Sequence, residues 1–259
     1  MNRRTFLAAT GGGILLNESA WSADSKPQII EMRTLKMRNT LDGMAQRTND
    51  FLEKAYIPAL QKAGAVTVGA FSALVAPDSP FLLLVSSYPS LGSWEGAYEK
   101  LRTDASLTKA REAYYGGGLG YTRMQVDLFQ GFRTVPVIEV PAVAEGKPPR
   151  IFEVRRYESN SPVSLAKKVK MFDDGEIGIF RRLGMKVVFF GGAIAGSNLP
   201  NLTYMLGYDD LAHRERVWGE FGKDPEWQKM RATPGLSDAE IVSNITNYFV
   251  RPTGFSAIR

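Results

Sequence analysis

The chain contains no cysteine. That absence removes disulfides, thiolate nucleophiles, iron–sulfur clusters and cysteine-ligated zinc in one step. It contains a single histidine, His213, whereas zinc sites draw on several nitrogen or sulfur ligands. Long apolar runs are also missing. The stretch 6–16 is the best candidate, and it is shorter than the roughly 20 residues that a bilayer requires, so no stable membrane anchor is expected. Basic residues are not clustered among aromatics, and the net charge of +5 is mild for 259 residues, which argues against a nucleic-acid partner. The densest basic stretch, Lys167-Lys168-Val169-Lys170, reads as the wet face of a helix. The segment YYGGGLGY, 114–121, is rich in glycine but lacks the Gly-Lys-Ser/Thr step of a phosphate loop. It reads as a helix-to-strand connection able to act as a flexible gate, and FFGGAIAGSNLP, 189–200, as a hairpin turn.

The N-terminus begins MNRRTFLAATGGGILL. Paired arginines, Arg3 and Arg4, followed by a short apolar run resemble a twin-arginine export signal. Small residues at Ala20 and Ser22 place cleavage near 20–23, and the expected location is the periplasm.

The rest of the chain says one thing twice. PQIIEMRTLKM from Pro27 lies against PRIFEVRRYES from Pro149, with Glu31 and Glu153, and Arg33 and Arg155, each 122 apart. Gly64 and Gly184, then Tyr88 and Tyr208, recur at a spacing of 120. Hydrophobic periodicity gives each half one order of elements: strand, helix, two strands, helix, strand. In the first half these fall at 28–36, 41–63, 66–75, 81–88, 90–113 and 121–130. In the second they fall at 150–157, 162–183, 186–194, 202–208, 210–221 with 224–231, and 241–250. Pro58 within the first helix is expected to kink it. The expected fold class is α+β: two tandem ferredoxin-like βαββαβ repeats packed sheet to sheet as an α+β barrel. The implied organisation is a signal at 1–23, a first repeat at 27–135, a linker at 136–148, a second repeat at 149–251 and a tail at 252–259.

At this point the residues resemble a known family. IFEVRRYES, FRRLGMKVV and DDLAHRERVWGEFGKDPEWQKM, with IIEMRTLKM and ALQKAGAVTVGAF in the first half, are similar to the NIPSNAP family over about residues 27–251. The Asp-Pro-Glu-Trp step at 224–227 is the most telling piece; the first half has Asp104-Ala105-Ser106-Leu107 instead and is the more diverged. The resemblance implies membership of the dimeric α+β barrel proteins, which include small cofactor-free monooxygenases and several haem enzymes. It implies no agreed reaction, so no catalytic residue carries over.

A site is expected inside the barrel, the natural cavity of this architecture. In the first strand of each half apolar and charged residues alternate. If the apolar set lies beneath the helices, Glu31, Arg33, Glu153 and Arg155 point into the barrel. Arg33 or Arg155 would then hold an anionic group, and Glu31 or Glu153 would act as base. Tyr157, Tyr204, Arg123, Tyr208 and Tyr88 are secondary ligand-binding candidates. An ion-pair network that fixes sheet packing is the competing reading of the Glu and Arg pairs. His213 falls partly off an apolar stripe that carries Val217, Trp218 and Phe221, with Asp209 or Asp210 as cap, so it reads as a surface histidine rather than a haem ligand. Trp218 and Trp227 read as core. Two functional readings follow. One is an exported barrel that binds a small apolar or aromatic molecule, with no cofactor or metal, and oxidises or isomerises it. The other is a non-catalytic interaction scaffold. A homo-oligomer is compatible with both.

Overall fold

The structure is a computed structural model that describes residues 26–143, Gly146 and 148–259. The expected export signal lies outside the described residues, as does part of the 136–148 linker. Among the described residues no helix is long and apolar enough to cross a membrane.

Eight antiparallel strands close into one barrel in the order β1-β3-β2-β8-β5-β7-β6-β4. The strands are β1 (Ile29–Lys36), β2 (Val68–Val75), β3 (Phe81–Tyr88), β4 (Arg123–Gly131), β5 (Ile151–Glu158), β6 (Lys186–Ala195), β7 (Asn201–Tyr208) and β8 (Asn244–Pro252). Within the first half the order is β4-β1-β3-β2, and within the second it is β8-β5-β7-β6. The registers correspond as well. Ile29 faces Tyr88 across β1 and β3, and Ile151 faces Tyr208 across β5 and β7. The two four-stranded sets do more than stack: β2 pairs with β8 and β4 with β6, so hydrogen bonds run around the whole circumference. Closure leaves no sheet edge exposed.

Helices cover the outside. α1 (Met44–Phe51) passes through a π-helical turn (Leu52–Tyr56) into α2 (Ile57–Ala63), and α3 (Leu91–Thr103) is followed by α4 (Ala105–Gly116). The second half has α5 (Pro162–Met171), a π-helical turn (Phe172–Glu176) and α6 (Ile177–Arg182), then α7 (Leu211–Lys223), α8 (Pro225–Arg231) and the short α9 (Asp238–Ile241). The irregularity near Pro58 is therefore a wide turn ahead of the proline. The second half makes the same turn with Gly178 in the matching place, so proline is not its cause.

Helix starts follow local chemistry. Asp210 caps α7 by accepting from the His213 N–H, and Asp224 caps α8 by accepting from Glu226 and Trp227. The Asp-Pro-Glu-Trp step thus reads as cap, first-turn proline, acidic first turn and a tryptophan that the core takes up. Asp104 caps α4 in the same way and Leu107 takes the buried place of Trp227.

Three apolar layers result. Ile30, Met32, Phe71, Phe129, Phe152, Val154 and Phe189 fill the barrel interior. One cluster lies between sheet and helices in the first half, and another does so in the second. An eight-stranded barrel is just wide enough for side chains to fill it, which is why its interior residues are apolar and large. The end of the barrel where β1 begins is plugged. Ile258 from the tail and Ile138 from the segment after β4 are buried in the interior layer. The Ala257 N–H donates to the Val68 carbonyl, and the Gln28 N–H donates to that of Pro136.

Candidate functional site

The alternation along β1 and β5 sorts side chains in the sense opposite to the expected one. Ile30 and Met32, with Phe152 and Val154, fill the barrel. Glu31, Arg33, Glu153 and Arg155 face outward, beneath the helices. The reason is solvation. At the level of Glu31 and Glu153 the interior is apolar, whereas the helix side presents indole, phenol and guanidinium groups to a buried carboxylate.

Glu31 accepts from Arg33 Nε at 2.8 Å and from Trp94 Nε1 at 2.6 Å, and the Tyr98 hydroxyl lies 2.8 and 2.9 Å from its two oxygens. Glu153 accepts from Arg155 Nη1 at 2.8 Å, Arg214 Nη2 at 3.0 Å and Asn247 Nδ2 at 2.9 Å. The Tyr208 hydroxyl donates to it at 3.3 Å and itself accepts from Trp218 Nε1 at 2.8 Å. Burial opposes ionisation of Glu153, but the Arg214 and Arg155 guanidiniums outweigh it and hold the carboxyl below its usual range. A carboxylate so held is a poor base.

The halves diverge one layer further out. In the first, an open cavity of about 200 Å³ lies between the sheet and the helices. Its walls are Arg33 and Leu35 from β1, Leu84 from β3, Phe51, Leu52 and Tyr56 from the first helix, Tyr98, Arg111, Tyr114, Tyr115, Tyr121 and Met124. In the second half larger or ion-paired residues occupy the matching positions. Tyr157 stands where Leu35 is and Tyr204 where Leu84 is, as the paired registers require. Lys168 stands for Thr48 and Glu176 for Tyr56. Arg155 donates to the hydroxyls of Tyr204 at 2.9 Å and Tyr157 at 3.2 Å, and its guanidinium lies 4.5 Å from the Trp218 ring. Tyr157 and Tyr204 are brought together, then, but as packed core. Lys168 is not on a wet face. It is fully buried, 3.2 Å from Glu176 and 3.1 Å from Asp238, beneath the rings of Phe172 and Trp227. Burial pushes the Glu176 carboxyl up to about 7, although Lys168 pulls the other way.

Arg123 is exposed at the start of β4 and lies outside the cavity lining, and Tyr88 is buried in the first helix-side core. His213 accepts from the Asp209 N–H through Nδ1, with no further group of metal ligands around it. Among the described residues no cluster of three or more His, Asp or Glu could hold a metal. Trp227 is buried, and Trp218 packs against the same core.

Sequence reasoning missed the tyrosines of the glycine-rich segment. Tyr114, Tyr115 and Tyr121 form one wall of the cavity. Arg47 donates to the Leu119 carbonyl at 3.0 Å, and the Thr48 hydroxyl lies 2.7 Å from that of Gly120, so the segment is latched rather than free. Gly120 is required, since a Cβ there would meet the Tyr114 hydroxyl at 1.8 Å. The signal in the sequence was three tyrosines within eight residues, read only for their glycines.

Fold and site define a closed α/β barrel with a cavity between sheet and helices in one half. Residues 152–257 match the NIPSNAP family model, so this part of the chain is similar to that family. A candidate monooxygenase from Fusobacterium nucleatum subsp. nucleatum superposes with a TM-score of 0.59 at 9% identity, over 88% of this chain and 93% of that one. Another from Lactobacillus acidophilus gives 0.58 at 11%, over 88% and 94%. A NIPSNAP family protein from Agrobacterium tumefaciens is 25% identical over 42% of this chain and 99% of its own, with a TM-score of 0.37. No curated protein sequence matches the chain.

Proposed function

We propose that the protein binds a small aromatic anion in the first-half cavity and oxygenates it without a cofactor. The observation that carries this reading is the charge and lining of that cavity. Arg33 and Arg111 face it against one carboxylate, Glu31, which leaves a positive balance. Arg33 uses three of a guanidinium's five donors on Glu31, Tyr98 and Met124, and the other two remain for a ligand oxygen. An apolar cavity of about 150 Å³ accepts a benzene ring, so one or two fused rings suit this one. Phenolates, enolates and aromatic carboxylates fit the arginines.

An electron-rich enolate reduces dioxygen directly. Its carbon gives an electron pair to form a C–O bond and the distal oxygen takes up a proton. The hydroperoxide then loses water across the same carbon to leave a carbonyl. The balance is one CH₂ and one O₂ in, one C=O and one water out. The substrate's first proton leaves to solvent at the open side, because Glu31 is engaged by three donors. The shared fold with candidate monooxygenases supports the reaction class. The common strand order and register of the two halves support descent from a duplicated ferredoxin-like unit. Export by residues 1–23 belongs to the same proposal.

The test uses 1-naphtholate and salicylate as probes, with binding followed by tyrosine and tryptophan fluorescence and oxygen uptake recorded beside it. Saturable binding that Arg33→Ala weakens about tenfold or more is expected. Binding without oxygen uptake would leave a carrier, and no binding at all would favour the interaction scaffold.

A further inference from the structure

The end of the barrel opposite the plug is open, and it holds a second cavity of about 340 Å³. It lies on the other side of the same strands from the aromatic pocket. On β1, Arg33 and Leu35 line the first cavity, while Thr34 and Lys36 line the second. Strand alternation therefore keeps the two apart.

Its polar groups are built in, not scattered. Arg156 is flanked on its face by Thr203 on β7 and Thr246 on β8, its direct cross-strand partners. Its side chain is 15% exposed, and it donates through Nη2 to Asp127 at 2.9 Å and through Nε to Thr203 at 3.3 Å. Asp127 is held in turn by the Ser197 N–H at 2.7 Å and by Gln125 Nε2 at 2.9 Å. These bonds fix the guanidinium plane. Arg156 Nη1 and the hydroxyls of Thr34, Thr246 and Tyr248 have no hydrogen-bond partner among the described residues, yet all four residues line the cavity. Tyr248 meets Phe81 edge to face at 5.8 Å and supplies a ring wall.

Charge selects the ligand. Arg156 is matched by Asp127, and at the rim Lys36 is matched by Asp78. The basin is electrically neutral, unlike the aromatic pocket, so it offers an added anion no unmatched cation. It offers hydroxyls, an amide and an oriented guanidinium around one ring face. We propose that the barrel mouth is a binding site for a neutral polyhydroxylated molecule of monosaccharide size. Ring hydroxyls replace water on Arg156 Nη1, Thr34, Thr246 and Tyr248, and the apolar face of the sugar rests on Tyr248. The volume falls within the range of small-ligand sites, about 300–1,000 Å³.

Ligand-observed NMR with the full chain tests this, using glucose, galactose and myo-inositol as neutral probes and gluconate as the anion. Saturable binding of at least one neutral probe is expected. Thr246→Val and Tyr248→Phe, which remove one hydroxyl each at nearly constant shape, should each weaken it about fivefold to tenfold. Leu84→Tyr, which fills the other cavity, should leave it unchanged. The proposal is overturned if none of the three neutral probes binds saturably, if gluconate binds more tightly than all of them, or if both hydroxyl variants bind like the parent. Both substitutions leave the Arg156–Asp127 pair intact, so neither threatens the fold. A Leu84→Tyr variant that loses naphtholate but keeps the sugar separates this site from the aromatic one.

Discussion

Arginine-to-alanine substitution at Arg155 and at Arg33 should have opposite outcomes, although the two residues hold matching register positions in the two halves of the barrel. Arg155 sits in a filled layer: it pairs with Glu153, donates to Tyr204 and Tyr157, and stacks on Trp218. Its removal leaves a void and two buried phenols with fewer partners, while Arg214 and Asn247 still hold Glu153. Breaking a buried pair from one side costs about 3–5 kcal/mol, and the remaining partners place Arg155→Ala near the lower figure. For a chain of this size that lowers Tm by roughly 6–12 °C. Arg33 faces an open cavity, so water can enter and solvate Glu31, and Trp94 and Tyr98 stay in place. Its loss should cost about 1–2 kcal/mol, the range of hydrogen bonds to a charged group that water partly replaces. Differential scanning calorimetry of both variants, beside naphtholate titrations, makes the comparison. Arg33→Ala should lose the ligand and little stability; Arg155→Ala should lose stability and keep the ligand below its lowered Tm. Equal stability losses, or a folded Arg155→Ala that no longer binds, would refute the assignment of an open cavity at Arg33 and a filled layer at Arg155.

Leu84→Tyr together with Leu35→Tyr copies the second half into the first; naphtholate binding should disappear while circular dichroism still shows a folded barrel. Glu176 ionises near 7 when folded and near 4.5 when unfolded. The folded state therefore binds more protons between those values, and its stability falls as pH rises through that window. Thermal melts from about pH 5 to pH 7 should show the fall, and Glu176→Gln should flatten it. Gly196 has φ +131°, and a Cβ there would meet Asp127 Oδ1 at 2.1 Å, so Gly196→Ala should cost about 1–3 kcal/mol, read from denaturant midpoints.

Much of the fold was legible because it rests on local periodicity. Alternation over 28–36 and 150–157 anticipated β1 and β5 to within a residue at each end, and the recurring Gly64 and Gly184 mark the helix ends before β2 and β6. A cap at Asp209 or Asp210 was visible, and Asp210 takes that place, because capping is a matter of a few adjacent residues. The candidate site was harder to read. Glu31, Arg33, Glu153 and Arg155 stood out as a buried-charge problem, and Arg33 does line the cavity. Period-two alternation says only that two faces differ, not which one looks inward. Lys168 was misplaced for a similar reason: its partner Asp238 is 70 residues away.

The sequence by itself determined the strands, the helices, their common order in the two halves and the two faces of each strand, since all of these follow from spacing along the chain. Only the tertiary structure decided which face fills the barrel, because that depends on where the indole and phenol partners of a buried carboxylate arrive from distant helices. It also decided that the first half keeps a cavity beside Arg33 while side chains fill the matching place beside Arg155. That difference arises from Leu35 and Leu84 against Tyr157 and Tyr204, four residues on three-dimensional neighbours whose combined volume no single stretch of chain contains.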